Sequence, residues 1–581
     1  MIYKVSEKQM VELKGLPPSA RVKTEWKNNI GIVEIQGEEP CSGFSAEWRI
    51  PQEDIQFRWV ADAGKIGIGY PQFLPPNWFS KTTSQLCCRV PVFSLVGADS
   101  GNRMTAAVSE SVLPVEFQSG ISEYSFQAEC RIVFPAFLRP FRVQIRLDLR
   151  KIPFSETLRD VAAWWAAMPE YAPMPVPETA LEPLYSTWYS YHHEITPEAV
   201  EQEAKLGFDD GLRTMIVDDG WQKIGGAGSY ASVGEWIPAD RFSDLKEHVR
   251  RVQAMGMRYL MWVALPFLGE DSPLFPSMKG KLLYFSKGLN TWVVDPRFPE
   301  VRSRLIERCR QLVETFRLDG LKIDFLDRFP VPSDCVDPAI AEEFAGRDCK
   351  SVDRAVYRLL EELCRELRAI RPEILIEFRQ DYNAPAMRHF ANMFRASDCP
   401  GDRIANRRRI INLRLLAGNT AVHSDMLGWC PEESAPSAAR QLWNIVFSVP
   451  QISVRLAELS PEHRRMLRSW IAFWRKNRDL FLAESLTPLH PELNYPMVTV
   501  ENESSAAAVV YAENQTVRWT CGKKRFLIVN ASASEEVVLE VDGEKQRAAV
   551  FDCFGDLTGE IPLHPGLQKI CIPCSGYLET H

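Results

Sequence analysis

The sequence predicts a multidomain α/β protein: a central (β/α)8 TIM barrel flanked by an N-terminal β-sandwich and a C-terminal antiparallel β domain. Three observations point there. Short apolar runs alternate with charged, helix-patterned segments from residue 184 to about 478. Period-two patterning takes over on either side. Three of the apolar runs end in acids: Asp218-Asp219, Asp324 and Asp398.

At 581 residues, 45% hydrophobic and 25% charged, the chain is too long for one core and divides into several domains. The expected boundaries are 1–150, 151–183, 184–478 and 479–581. In the first segment Val33–Gln36, extended back through Ile32 and Ile30, and Phe141–Leu147 alternate apolar with polar residues, as half-buried strands do. The Pro- and aromatic-rich stretch Gly69–Phe79 suits a loop over a neighbouring domain or at a pocket rim. A short helical piece with Trp164 and Trp165 and a Pro-rich linker from Met168 to Pro177 follow.

The eight barrel-strand candidates are Leu184–Ser190, Arg213–Asp218, Arg258–Ala264, Gly320–Phe325, Ile374–Phe378, Met393–Ala396, Thr420–His423 and Ile445–Val449. Helices are expected over Pro197–Leu206, Phe242–Met255, Glu300–Thr315 and Val352–Ala369. A doubly wound sheet is the structural alternative. It lacks support, because no Gly-x-Gly-x-x-Gly follows a first strand and no Walker motif is present. Beyond residue 479, Val498–Val500, Ala506–Tyr511, Phe526–Val529, Val537–Val541 and Ala548–Phe551 read as strands of a small sandwich.

A net charge of −8 disfavours a general nucleic-acid binder. No apolar run reaches the length of a membrane span, and no export signal is evident. Cytoplasmic location, with the fourteen cysteines reduced, is the resulting expectation. Cys571-x-x-Cys574 reads as apolar packing.

A barrel carries its active site at the C-terminal strand ends, where these acids fall. Period two puts Lys322 and Asp324 on one strand face. A nearby cation favours an ionised carboxylate, so Asp324 is the candidate nucleophile; a buried structural ion pair is the alternative. Asp398 is the candidate general acid/base, with Asp402 its rival. Paired carboxylates on either side of a scissile bond are the machinery of glycoside hydrolysis. Asp218 and Asp219 suit bidentate contact with sugar hydroxyls. Trp221, Trp262 and Trp188 suit contact with a sugar's C–H face, and Trp236 and Trp292 sit near strand ends too. Arg379, beside Asp381, and Arg395 are candidate donors to substrate oxygens. His423 and Asp425 are candidates for substrate contact or support of the acid/base. A Ser-His-Asp triad is disfavoured without a G-x-S-x-G elbow. His192-His193-Glu194 lacks H-E-x-x-H spacing, so no metal and no cofactor are expected. An enolase-like metal-dependent lyase is the metal-using alternative.

These motifs resemble glycoside hydrolase family 36 and its wider α-galactosidase clan, the melibiase-like enzymes. Val217-Asp218-Asp219-Gly220-Trp221 is similar to that family's second-strand signature, Lys322-Ile323-Asp324 to its fourth, and Ser397-Asp398 to its sixth. The resemblance implies cofactor-free, retaining hydrolysis of an α-linked galactoside or oligosaccharide and a possible homo-oligomer. Asp324 would be the nucleophile, Asp398 the acid/base, Asp218 and Asp219 ligands of the distal hydroxyls, and Arg395 a substrate arginine. The sequence departs from the family at Phe325-Leu326-Asp327-Arg328, at Phe378–Tyr382 in place of a glycine-rich loop, and at Cys399-Pro400-Gly401-Asp402. A related sugar (an α-N-acetylgalactosaminide or a β-L-arabinopyranoside), galactosyl transfer of the raffinose-synthase kind and sugar binding without catalysis are therefore the alternatives.

Overall fold

The computed structural model describes residues 1–4, 9–61, 80–138, 140–223, 229–332, 346–520 and 523–580. The Gly69–Phe79 stretch lies outside them.

Two six-stranded sheets form the N-terminal sandwich. Ile30–Gly37 is the strand expected from its alternation. Val33 and Ile35 are fully buried, and the strand pairs antiparallel with Phe141–Asp148. The helix Phe154–Ala166 follows and buries Trp165, whose indole donates to the Val108 carbonyl.

Eight parallel strands then form the barrel: β1 (Leu184–Ser186), β2 (Thr214–Val217), β3 (Arg258–Ala264), β4 (Gly320–Asp324), β5 (Leu375–Arg379), β6 (Met393–Arg395), β7 (Ala421–His423) and β8 (Gln451–Ile452). Each pairs with its neighbour in chain order from β1 to β7, and β8 pairs with β1. Bridges His423–Val449 and Leu427–Ile452 close the ring. Gly320 matters for pairing: a Cβ there would lie 2.1 Å from the Leu375 carbonyl oxygen of β5. Helices Pro197–Asp209, Leu245–Ala254, Pro299–Phe316 and Val352–Ile370 cover the outside. The last buries one stripe, Ala355, Val356, Leu359, Leu360, Leu363 and Leu367, as helical period requires.

Two expectations need correction. The eighth strand is not Ile445–Val449. That run is a buried turn after the helix Ala435–Asn444, and the strand starts past Pro450, which has no N–H for a ladder. The first strand also stops at Ser186, because Trp188–Tyr191 turns helical. One feature lacked a signal: a three-stranded antiparallel sheet (Phe267–Leu268, Leu282–Ser286, Thr291–Val294) inserted after β3. Trp292 belongs to this sheet, with its indole on Glu270.

The 21-residue helix Pro461–Phe481 leads to the C-terminal β domain of a seven-stranded and a three-stranded sheet. Most pairings are antiparallel; Ser505–Val510 with Arg525–Asn530 and Thr516–Thr520 with Glu536–Asp542 are parallel. One apolar core runs from the barrel-facing side of the N-terminal sandwich, where Trp59 and Val92 lie, through the barrel into this domain; the space between the two sandwich sheets holds a core of its own. A buried polar triangle joins all three. Trp59 Nε1 donates to Tyr495 Oη at 3.0 Å and to Asn412 Oδ1 at 3.3 Å, and Tyr495 Oη donates to Asn412 Oδ1 at 2.6 Å.

Candidate active site

Strand register sets the site. Trp262 on β3 is level with Lys322 on β4, and Lys322 with Glu377 on β5. Two residues further on, Arg379 is level with Arg395 on β6, and Arg395 with His423 on β7.

Asp324 ends β4 and is 8% exposed. Its Oδ1 accepts from Phe325 N at 2.6 Å, Arg379 Nε at 2.7 Å and Tyr382 Oη at 3.3 Å. Its Oδ2 accepts from Trp262 Nε1 at 3.0 Å. Burial opposes ionisation, but Arg379, Lys322 and the Trp262 indole outweigh it and hold the carboxyl far below the usual range. Phe325 is left-handed, with φ 65°, a conformation that costs a non-glycine residue about 1–2 kcal/mol. Its ring packs on Phe267, Tyr230 and Trp262.

Lys322 Nζ donates to Asp218 Oδ2. Burial raises the Asp218 carboxyl, and Lys322 opposes that rise. Gly220, at φ 115°, turns the chain after Asp219, where a Cβ would sit 3.0 Å from His193 Cα. That close approach lets His193 Nε2 reach Asp219 Oδ2 at 2.9 Å, beside Tyr230 Oη at 2.9 Å. The hydrogen bond to Asp219 raises the His193 imidazole above its ordinary value, and burial opposes this. Asp219 Oδ1 is buried without a hydrogen-bond partner among the described residues. Trp188 is half-buried, edge-on to His192 and His193.

Asp398 follows β6 and is half-buried, its Oδ1 2.9 Å from Arg395 Nη1. The same Arg395 nitrogen donates to Asp425 Oδ1, and Arg395 Nε lies 3.7 Å from Glu377 Oε1. Burial pushes Asp398 up, as does the charge of Asp324. Arg395 and Arg379 prevail and hold it below the ordinary range. Asp425 is fully buried and accepts from Tyr189 Oη at 3.0 Å and Cys399 N. Burial raises it to about 6 against the pull of Arg395. Arg409 of the helix Arg403–Ala417 grips the carbonyls of Ser397 and Asp398 at 2.8 and 2.6 Å. Asp381 lies in the loop after β5, where its carbonyl accepts from Arg89 of the sandwich at 2.9 Å.

The structure thus gathers Asp218, Asp219, Trp262, Lys322, Asp324, Arg379, Arg395, Asp398 and Asp425 into one network. Other candidates stand outside it. Trp221 is fully buried, with its indole on the Trp262 carbonyl, so it offers no ring face to a sugar. Trp236 is likewise buried. His423 is fully buried, donates from Nε2 to the Ala180 carbonyl at 2.8 Å, and is lowered by burial to about 4; it is a neutral core histidine. Arg395 is 1% exposed and faces Asp398, Asp425 and Glu377, so it orients acids instead of reaching substrate. Asp402 is exposed and caps the Arg403–Ala417 helix through Ala405 N at 2.9 Å. His193, Tyr189, Tyr230, Tyr382 and Arg409 were missed. Of these, Tyr189, His193 and Tyr382 had a local signal, their places at or just past the ends of strand candidates.

No family model matches the chain. It is 23% identical over 203 residues to the bifunctional α-galactosidase/sucrose kinase AgaSK of Mediterraneibacter gnavus, covering 33% of this chain and 20% of that protein. The chain thus aligns with about a fifth of the length of the curated relatives it matches. Among solved structures, the family 36 α-galactosidase AgaA of Geobacillus stearothermophilus superposes with a TM-score of 0.65 at 13% identity, covering 99% of this chain and 83% of that one. The α-galactosidase of Lactobacillus brevis gives 0.64 at 13% identity, covering 100% and 83%. Over nearly its whole length, the chain has the three-part fold of the glycoside hydrolase family 36 α-galactosidases.

Proposed function

We propose that this protein is a retaining glycoside hydrolase acting on α-linked galactosides through a covalent glycosyl–Asp324 intermediate. One observation carries the reading. A buried carboxylate is held ionised by two cations, and its Oδ2 is engaged by a single donor. The half-buried Asp398 lies within reach of its charge.

In the first step Asp324 attacks the anomeric carbon while Asp398 protonates the leaving oxygen. In the second, Asp398 takes a proton from water, which attacks the same carbon and releases Asp324. Two inversions give retention. The interaction between the two carboxyls suits this cycle, set against the hold of Arg395 and Arg379 that keeps Asp398 below the ordinary range in the free enzyme. The Asp324 charge pushes Asp398 towards protonation; forming the ester removes that charge, and Asp398 becomes the stronger acid that serves as base. Asp219 Oδ1, buried and unpartnered, is an acceptor for a sugar hydroxyl, since an unmet buried acceptor is costly. The fold shared with α-galactosidases supports galactose as the sugar.

The test is a panel of nitrophenyl α- and β-glycosides, with the released anomer followed by NMR. The α-galactoside is expected to yield the α anomer first. Asp324→Ala is expected to lower kcat/KM by on the order of a thousandfold or more. Undiminished cleavage by Asp324→Ala would refute the assignment, and first release of the β anomer would make the enzyme inverting. Turnover confined to another glycoside would change the sugar while leaving the mechanism in place.

A further inference from the structure

We propose that Arg379 is a positioning residue that selects the attacking oxygen of Asp324 and speeds release of the sugar from it. This inference rests on the glycosidase reading above. A carboxylate oxygen has two lone pairs. Among the described residues, Oδ1 of Asp324 meets the Phe325 N–H at 2.6 Å and Arg379 Nε at 2.7 Å, with Tyr382 Oη, whose one proton also faces the Ile323 carbonyl at 3.0 Å, a further 3.3 Å contact; Oδ2 meets one donor, at 3.0 Å. The oxygen with a lone pair to spare is Oδ2.

Arg379 is not free to swing towards a sugar. Its Nη1 donates to the Gln380 carbonyl at 3.0 Å and its Nη2 to Asp327 Oδ1 at 3.1 Å. Its guanidinium lies 5.7 Å from the Phe325 ring centroid and 5.5 Å from that of Tyr382. The side chain is 14% exposed. It is a fixed cation on the far oxygen of the nucleophile.

Such a cation acts oppositely on the two steps. In the first, the Oδ2–C1 bond forms as C1 parts from the leaving oxygen, which takes the Asp398 proton. Asp324 loses its charge and Oδ1 becomes the ester carbonyl. Arg379 stabilises the carboxylate that is consumed, so it restrains this step. In the second, water bonds to C1 and gives its proton to Asp398. The C1–Oδ2 pair returns to Asp324, and Arg379 stabilises the charge as it reappears. Arg379 therefore makes Asp324 a better leaving group at some expense in nucleophilicity.

The experiment compares the wild type, Arg379→Met and Arg379→Lys on a nitrophenyl glycoside that the wild type cleaves, by stopped flow and by intact mass after acid quench. Arg379→Met is expected to show a nitrophenolate burst, a glycosyl adduct on Asp324, and kcat and KM that fall together. kcat should fall by about tenfold or more, the effect of one pKa unit on the departing carboxylate. The acid limb of kcat/KM should move to higher pH. Arg379→Lys is expected to restore part of the rate and shrink the burst. Where Arg379→Met does not fold, Arg379→Lys alone decides, through a small burst or none. A variant that loses kcat/KM with KM unchanged or raised, and with no adduct, overturns the inference and makes Arg379 a substrate binder or a structural residue. If the wild type cleaves nothing in the panel, the glycosidase reading falls and this inference with it. If the wild type turns over and no variant accumulates adduct, Arg379 alone is misassigned.

Discussion

Asp398 and Asp425 share one cation, Arg395, and the partition of that charge sets the acid. Removing the Asp425 charge leaves Arg395 to Asp398 and Glu377, and relieves Asp398 of a repelling neighbour. Both effects favour ionised Asp398 and lower its pKa. The alkaline limb of kcat/KM reports the free enzyme's acid. Asp425, however, already holds its proton below about 6, while Asp398 is held below the ordinary carboxylate range. In Asp425→Asn the limb set by Asp398 is therefore expected to stay in place, and any inflection near 6 to be lost. A limb that moved to lower pH would mean that Asp425 is charged where Asp398 titrates. Much of this was readable from sequence. The two-residue spacing of Lys322 and Asp324 forces both onto one face, and Ser397-Asp398 follows directly from a strand. The partners that tune them were not readable. Tyr189 meets Asp425 across 236 positions and Tyr382 meets Asp324 across 58, and no local pattern encodes such pairings. Arg395 and His423 misled because a position at a strand end says nothing about which way a side chain is satisfied.

At the scale of elements, the helix Arg403–Ala417 serves the site from behind. Asp402 caps it, Asn406 holds the Asp425 backbone, and Arg409 holds the carbonyls of Ser397 and Asp398. Asp402→Ala is expected to cost about 1 kcal/mol of stability while leaving the shape of the pH–rate profile unchanged. Loss of the alkaline limb in that variant would instead make Asp402 the acid. The strands whose apolar runs are bounded by turns and acids were legible almost to the residue, as Arg258–Ala264 shows. Ile445–Val449 was not, because a fully buried turn and a fully buried strand look alike in hydropathy. The sheet inserted after β3 was hidden for a related reason: its strands have two to five residues, too few for a period to emerge.

Across the whole molecule, the apolar core that crosses both boundaries ties the flanking β domains to the barrel. The triangle of Trp59, Asn412 and Tyr495 is a polar element within it. Trp59→Phe removes the indole donor and part of the buried ring, and leaves the Tyr495–Asn412 bond in place. A loss of roughly 1–3 kcal/mol is expected from chemical denaturation. An unchanged midpoint and slope would show that the triangle adds nothing to the cohesion of the three parts.

The triangle also sets a clock. Trp59 and Tyr495 are 436 positions apart. At a synthesis rate of about 5–20 residues per second, roughly 20–90 s separate their emergence from the ribosome. Throughout that interval the N-terminal sandwich can complete its own core, while the face bearing Trp59 waits for barrel and C-terminal partners that do not yet exist. A growing chain of this kind presents an apolar face for roughly a million times longer than its hairpins and helices need to form. Its yield in the cell will depend on what shields that face in the meantime.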